Sequence, residues 1–208
     1  MQIDEMFIRQ AIVLGIAIIY WAGVLLQARR VRKSIGRQPN VKPRGSREKL
    51  LWLGWVLVVL TWMILPFVVD RDSSYALLRL QPSMLNTAGL VLGLILVLTG
   101  YAGTHWCYAS MGNTWRIGID HEHETNLVTR GPYGRVRHPI YLFQVVILTG
   151  VAVLLPTPLA LLIIAVHLSC VWVKAGDEEA HLSSTLGQEY LDYCSRTGRL
   201  LPRITGGG

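Results

Sequence analysis

Two clusters of ionisable side chains stand at the two ends of one apolar stretch. Arg135, Arg137 and His138 come immediately before Ile140, where an apolar run begins that lasts to about Lys174. Asp177, Glu178 and Glu179 follow it. A single helix over such a run would overshoot a bilayer, and Pro156-Thr157-Pro158 interrupts it with two prolines in three residues. The expectation is a helical hairpin, which returns both clusters to one end. A site carrying both signs at a membrane boundary suits a zwitterionic ligand. Its carboxylates can hold an ammonium or a ribose diol, and its Arg, Lys or backbone donors can hold a carboxylate. The same residues also admit a plain structural role, with Arg snorkelling at helix ends and carboxylates opening the next helix.

The elements that must position these groups are read from composition and hydropathy. Hydrophobic residues make up 51% of the 208 and charged residues only 16%, against about 25% in soluble domains. Mean hydropathy is +0.39. These values predict an all-α, polytopic membrane helical bundle with a single domain over 1–208. Residues 1–83 form the N-terminal helices and basic loop, and 84–208 the ligand-binding core. The net charge of +7 lies mainly beside the apolar segments, where it sets membrane topology, so nucleic acid is not an expected partner.

The expected spans are Phe7 to Ala28, Leu50 to Val69, Met84 to about Cys107, and the two arms of the hairpin, five in all. The stretch from Arg29 to Lys49 carries nine Lys or Arg and one acid, Glu48. It reads as a cytoplasmic loop and a surface for anionic lipid headgroups. By alternation the N-terminus lies outside and the C-terminus in the cytoplasm. Leu77, Leu78 and Leu80 are expected along the outer interface. Gly89, Gly93, Gly100 and Gly103 fall on one helix face, for close helix packing or, at Gly100 and Gly103, as room for a cofactor. An amphipathic cytoplasmic helix is expected from Gly176 to Ser195. His167 lies inside the second arm, where a hydrogen bond to a neighbouring helix is expected. Three cysteines, Cys107, Cys170 and Cys194, have neither disulfide nor metal-site spacing. The run Asp120-His121-Glu122-His123-Glu124 contains an H-x-H pair without a third ligand at a helical spacing, so no metal is expected.

Taken in order, the motifs carry a resemblance. G-P-Y-x-x-x-R-H-P-x-Y occurs as Gly131 to Tyr141. After the hairpin come E-E-x-x-L, as Glu178, Glu179 and Leu182, and G-x-E-Y-x-x-Y, as Gly187, Glu189, Tyr190 and Tyr193. Upstream stand Met111-Gly112-x-x-Trp115 and Leu127-Val128 ahead of Gly131-Pro132-Tyr133. This ordered set, over roughly residues 100 to 203, resembles the isoprenylcysteine carboxyl methyltransferase family and is similar to the related phospholipid N-methyltransferases. The resemblance implies S-adenosyl-L-methionine as methyl donor. It implies cofactor contacts from Leu127, Val128, Tyr133, His138, Pro139, Tyr141 and Glu178, and catalytic or orienting roles for Lys174, Arg137 and Glu179. Lys174 stands where the family is expected to carry Arg, and Thr125 where it tends to have His. Loss of a bidentate guanidinium bears on how an acceptor carboxylate would be held.

Such an enzyme would methylate a lipid or prenylated cysteine acceptor at the inner membrane surface, with membrane lipids around it. Prenylcysteine carboxylate is the first expectation and phospholipid or amphiphile N-methylation the second. Two rivals come from other classes. One is a sterol-type membrane reductase using a nicotinamide cofactor, for which a cationic fork for a 2′-phosphate is lacking. The other is a non-enzymatic membrane protein.

Overall fold

The structure, a computed structural model, describes residues 4–36, 38–39, 43, 45–70, 72–116 and 127–203. Among the described residues there are six α-helices: α1 Glu5–Ile35, α2 Gly45–Val68, α3 Thr87–Met111, α4 Pro139–Leu154, α5 Pro158–Leu186 and α6 Gln188–Arg196. Four of them, α1, α2, α3 and α5, are long and apolar enough to cross a membrane. The fifth expected span, α4, is a shorter apolar helix of 16 residues. It is about 24 Å long, against a hydrocarbon core of about 30 Å.

Local sequence sets the helix ends. The Asp4 side chain accepts from the Met6 N–H at the start of α1, the Asn86 side chain from the Gly89 N–H at the start of α3, and Thr157 Oγ1 from the Ala160 N–H at the start of α5. Each satisfies an N–H that has no partner inside its helix. Pro139 and Pro158 open α4 and α5, where a missing N–H costs nothing. The turn around Pro156 is clamped from the 70–86 connection. Gln81 N–H donates to Pro156 O at 2.7 Å, and Leu159 N–H donates to Leu77 O at 3.1 Å. Leu80 is buried there with the core and does not lie along the interface as expected, because this connection folds onto the hairpin turn.

Three further expectations are corrected. The C-terminal amphipathic helix does not begin at Gly176. The second arm continues through Gly176 and the acidic residues to Leu186, since one glycine among helix formers costs only about 1 kcal/mol. The break comes at Gly187, whose φ of +56° ends α5 before the separate short α6. The Gly face of α3 leaves no room for a cofactor. It packs on α4, where a Cβ at Gly100 would sit 2.7 Å from Phe143 O and one at Gly103 would strike the Phe143 ring. His167 is buried, yet neither ring nitrogen has a hydrogen-bond partner among the described residues.

Long-range polar contacts fix the alternation of the helices. Arg9, 1% exposed, pairs with Glu5 at 2.8 Å, and it donates to Leu154 O at 3.2 Å and Asn86 O at 2.6 Å. One guanidinium thus joins α1, the entry to α3 and the free carbonyls that end α4. At the opposite end Arg47 pairs with Asp177 at 3.0 Å, joining α2 to α5. The end containing Arg47, Asp177 and the last turns of α1, with Arg29, Arg30, Arg32 and Lys33, is the basic end.

Candidate functional site

The site forms where the segment before α4 meets the last turns of α5 at the basic end. Gly131 starts a single 3-10 turn, Gly131–Gly134, with φ +62°. A Cβ there would run into the Ser110 side chain at the end of α3, so the turn needs glycine for both conformation and space. Arg130 Nε donates to Ser110 O at 2.8 Å and holds the same junction. The chain then runs as an isolated parallel bridge, Val136 against Gly198. Arg137 N–H donates to Gly198 O at 2.8 Å, His138 N–H to Arg199 O at 3.1 Å, and Gly198 N–H to Arg135 O at 3.2 Å. The C-terminal strap therefore fixes the backbone that presents His138.

His138 faces the two glutamates of α5. Its Nδ1 lies 3.3 Å from Glu178 Oε2 and its Nε2 3.3 Å from Glu179 Oε1. Tyr141 Oη–H donates to Glu178 Oε1 at 2.7 Å, and its ring stacks on His138 at 5.6 Å and 10°. Glu178 keeps 23% of its side chain exposed, and its carboxylate is oriented by two neighbours. Burial alone would push the His138 imidazole down, but its hydrogen bonds to the Glu178 and Glu179 carboxylates, backed by their charges, outweigh it and hold it above its usual value. Burial pushes the Tyr133 hydroxyl well above its ordinary range, and the charges of Cys107 and Glu178 add to this.

Glu179 is the most heavily engaged group. Arg137 Nε donates to Oε1 at 2.8 Å, and Arg199 Nε and Nη2 donate to Oε2 at 3.0 and 2.5 Å. Arg137 is further tied by Nη1 to Thr197 O at 2.5 Å and Cys194 O at 3.4 Å. The Arg199 guanidinium lies over the Trp172 ring, 4.7 Å from its centre. Lys174 sits on α5 one turn before Glu178, with no ion-pair partner among the described residues.

Five of the seven residues expected around a cofactor, Tyr133, His138, Pro139, Tyr141 and Glu178, converge at this junction. Leu127 and Val128 lie half-buried on the strand of chain that leads to it. Thr125 and the 120–124 acidic and histidine run lie outside the described residues. Of the three residues expected to act on the acceptor, Arg137 and Glu179 bond to each other, and Lys174 acts on Glu178 through its charge. Sequence reading missed Arg199 and Trp172. A bridge between residue 136 and residue 198 leaves no periodic signal, and an Arg in a terminal tail reads as topology charge.

Residues 88–189 match the family model described as phospholipid methyltransferase. Over these residues, just under half of the chain, it resembles the phospholipid methyltransferase family. The family match contains the entire hairpin, His138, Glu178 and Glu179, and stops before Arg199. A solved structure of the eukaryotic intramembrane Ras methyltransferase, isoprenylcysteine carboxyl methyltransferase, superposes with a TM-score of 0.57 over 94% of this chain and 68% of its own, at 19% identity. The two share a fold. With its apolar helices, that places the chain among integral membrane proteins. The nickel-cobalt-cadmium resistance protein NccN of Alcaligenes xylosoxydans xylosoxydans is 28% identical over 121 residues, 58% of this chain. The match spans about half the length of that relative, 53%.

Proposed function

We propose that this protein is an S-adenosyl-L-methionine-dependent membrane methyltransferase whose acceptor is an ionised carboxylate on a lipidated molecule, of the prenylcysteine kind. The observation that carries the choice of acceptor is the absence of a free base in the described cluster. Both nitrogens of His138 lie against carboxylates, Glu178 is held by His138 and Tyr141, and Glu179 is surrounded by His138, Arg137 and Arg199. An amine acceptor must lose a proton to become nucleophilic, and nothing here is poised to take it. A carboxylate is already ionised at neutral pH and needs only alignment.

The donor set fits the cofactor. Glu178, oriented and partly exposed, can hold an ammonium or ribose hydroxyls, and Tyr133, His138 and Tyr141 wall the same junction. When bound, S-adenosyl-L-methionine supplies a methyl already activated on a sulfonium. The chain's own residues then bind and orient. Glu178 engages the cofactor, and His138 and Tyr141 keep that carboxylate in place. Glu179, Arg137 and Arg199 position His138 without touching the reacting atoms. Lys174, free of an ion-pair partner among the described residues, faces the acceptor carboxylate as a single point charge. The basic end faces the cytoplasm, where its Lys and Arg excess belongs. The alternative is N-methylation of a phospholipid, which the family description favours; it requires a base that the cluster lacks.

The test is transfer of labelled methyl to a farnesylcysteine analogue and to phosphatidylethanolamine by the full chain in nanodiscs. The proposal predicts label in the first alone. Label confined to phosphatidylethanolamine would reject the carboxylate reading and leave the methyltransferase reading standing.

A further inference from the structure

Two stripes of α5 end in the two glutamates. Ala160, His167, Val171 and Glu178 recur at spacings of seven, four and seven, and the first three are buried in the bundle. Leu161, Leu168, Trp172 and Glu179 repeat that spacing one residue on, and the first three are exposed apolar side chains. Glu178 thus continues the interior face of the helix, and Glu179 the face turned to lipid. Glu179 lies 21 residues after Pro158, about 32 Å along the helix and so about one hydrocarbon thickness from the hairpin turn. A carboxylate against hydrocarbon is costly unless it is paired. Its side chain is only 13% exposed, because Arg137 and Arg199 close over it.

The C-terminal strap supplies most of that cover. Arg199 bonds Glu179 through Nε and Nη2 and rests on the exposed Trp172 ring, so it pins the strap to the lipid-facing stripe of α5. Leu201, two residues on, is 69% exposed, an apolar side chain left open beside that boundary. From Tyr193 to Arg203 the chain holds three arginines and no acid. Arg203 Nη1 donates to Ser195 O, next to Arg196, at 2.5 Å. Gly198 N–H donates to Arg135 O at 3.2 Å, which brings a fourth arginine to the same strap. Arg135, Arg196 and Arg203 are exposed, and none has a carboxylate partner among the described residues. The two acids of α6, Glu189 and Asp192, pair with none of the three. An open leucine among unpaired arginines at the edge of a hydrocarbon layer is the pattern of a segment lying in the headgroup plane. Each arginine there strengthens attraction to anionic lipid about fivefold.

We propose that residues 197–203, with Arg135 and Arg196, form a docking surface for anionic phospholipid headgroups in the leaflet at the basic end, and that a bound headgroup keeps Arg199 seated on Glu179. The lipid phosphate faces the three open guanidiniums, and the acyl region receives Leu201. A soluble acidic partner would answer the charges and leave Leu201 in water. The inference rests on the chain's place in a membrane and not on methyl transfer.

The test is hydrogen–deuterium exchange of the full chain, read by mass spectrometry on the segment 194–203. Nanodiscs of phosphatidylcholine are compared with nanodiscs of equal parts phosphatidylcholine and phosphatidylglycerol at low ionic strength. The Gly198 amide, bonded to Arg135 O, is the reporter. Its exchange should be at least about fivefold slower in the anionic discs. Arg135→Gln combined with Arg203→Gln should remove most of that difference, and Leu201→Ser should reduce it. Leu201→Ser keeps the test decisive where the double variant fails to fold. Inorganic phosphate added to phosphatidylcholine discs should not slow exchange. Equal exchange in the two lipids, an undiminished difference in the variants, or slowing by inorganic phosphate alone would overturn the proposal.

Discussion

The two buried histidines, His138 and His167, are treated in opposite ways. His138 stands at the basic end with a carboxylate on each ring nitrogen and an aromatic ring stacked on its face. His167 stands at mid-depth among indoles with no partner on either nitrogen among the described residues. The first is part of a closed network in which each charge compensates another. The second leaves its hydrogen-bonding capacity open. A closed network fixes geometry before a ligand arrives, which suits a reaction that needs alignment more than proton transfer. An open one is destabilising until something occupies it.

That contrast can be broken most strongly at Glu178. Replacing it with Ala removes a charged hydrogen-bond acceptor worth about 1.5–3 kcal/mol to the ligand and strands His138. Methyl transfer should fall on the order of 100-fold, and initial rates at saturating acceptor would show it. A change under threefold would mean that the closed network is only structural. Arg199→Ala comes next. Glu179 would then rest on Arg137 and His138, and the strap would lose its grip on Trp172. About tenfold weaker cofactor affinity is expected, with partial recovery in Arg199→Lys and little change in acceptor KM. Lys174→Ala should do the converse, raising acceptor KM by about tenfold while leaving cofactor affinity alone, as fits one point charge on the acceptor carboxylate.

The histidines themselves give a sign test. His138→Leu should destabilise the protein, because it takes one partner from each of two carboxylates. His167→Leu should stabilise it by about 1–3 kcal/mol in ligand-free detergent, because it removes two unpaired buried atoms. The same sign at both positions would erase the distinction. The smallest effect is in pH. The native His138 value is raised, so its pairing contributes stability that is fully present below the unfolded value of about 6.5 and is lost as pH rises through the higher native value. The melting-temperature gap between the wild type and His138→Gln should narrow from pH 6 towards pH 9. A gap that widens would contradict the pairing.

Much of the charged site was legible in the chain because its signals are local. Proline pairs mark hairpin turns, an apolar run measures a span, and motif order sets which ends meet. The meeting of the two charged clusters follows from those rules, while the choice of His138 and Glu178 within them came from the family resemblance. What escaped depends on contacts without periodicity. Arg9, near the start of a hydrophobic run, reads as a flanking cation, yet it is fully buried because three helix termini offer it oxygens. Arg199 reaches Glu179 through a terminal strap whose pairing partner is 62 residues upstream. Gly176 looked like a boundary and was tolerated inside α5, whereas Gly187 was the boundary. Glycine type alone does not distinguish the two; the positive φ does.

The central claim is that the His138–Glu178 junction is a preformed seat for S-adenosyl-L-methionine. Calorimetric titration of the detergent-solubilised full chain with S-adenosylhomocysteine tests it without any assumption about the acceptor. The account predicts saturable heat with S-adenosylhomocysteine and none with NADPH. No heat with S-adenosylhomocysteine, or heat with NADPH alone, would contradict it.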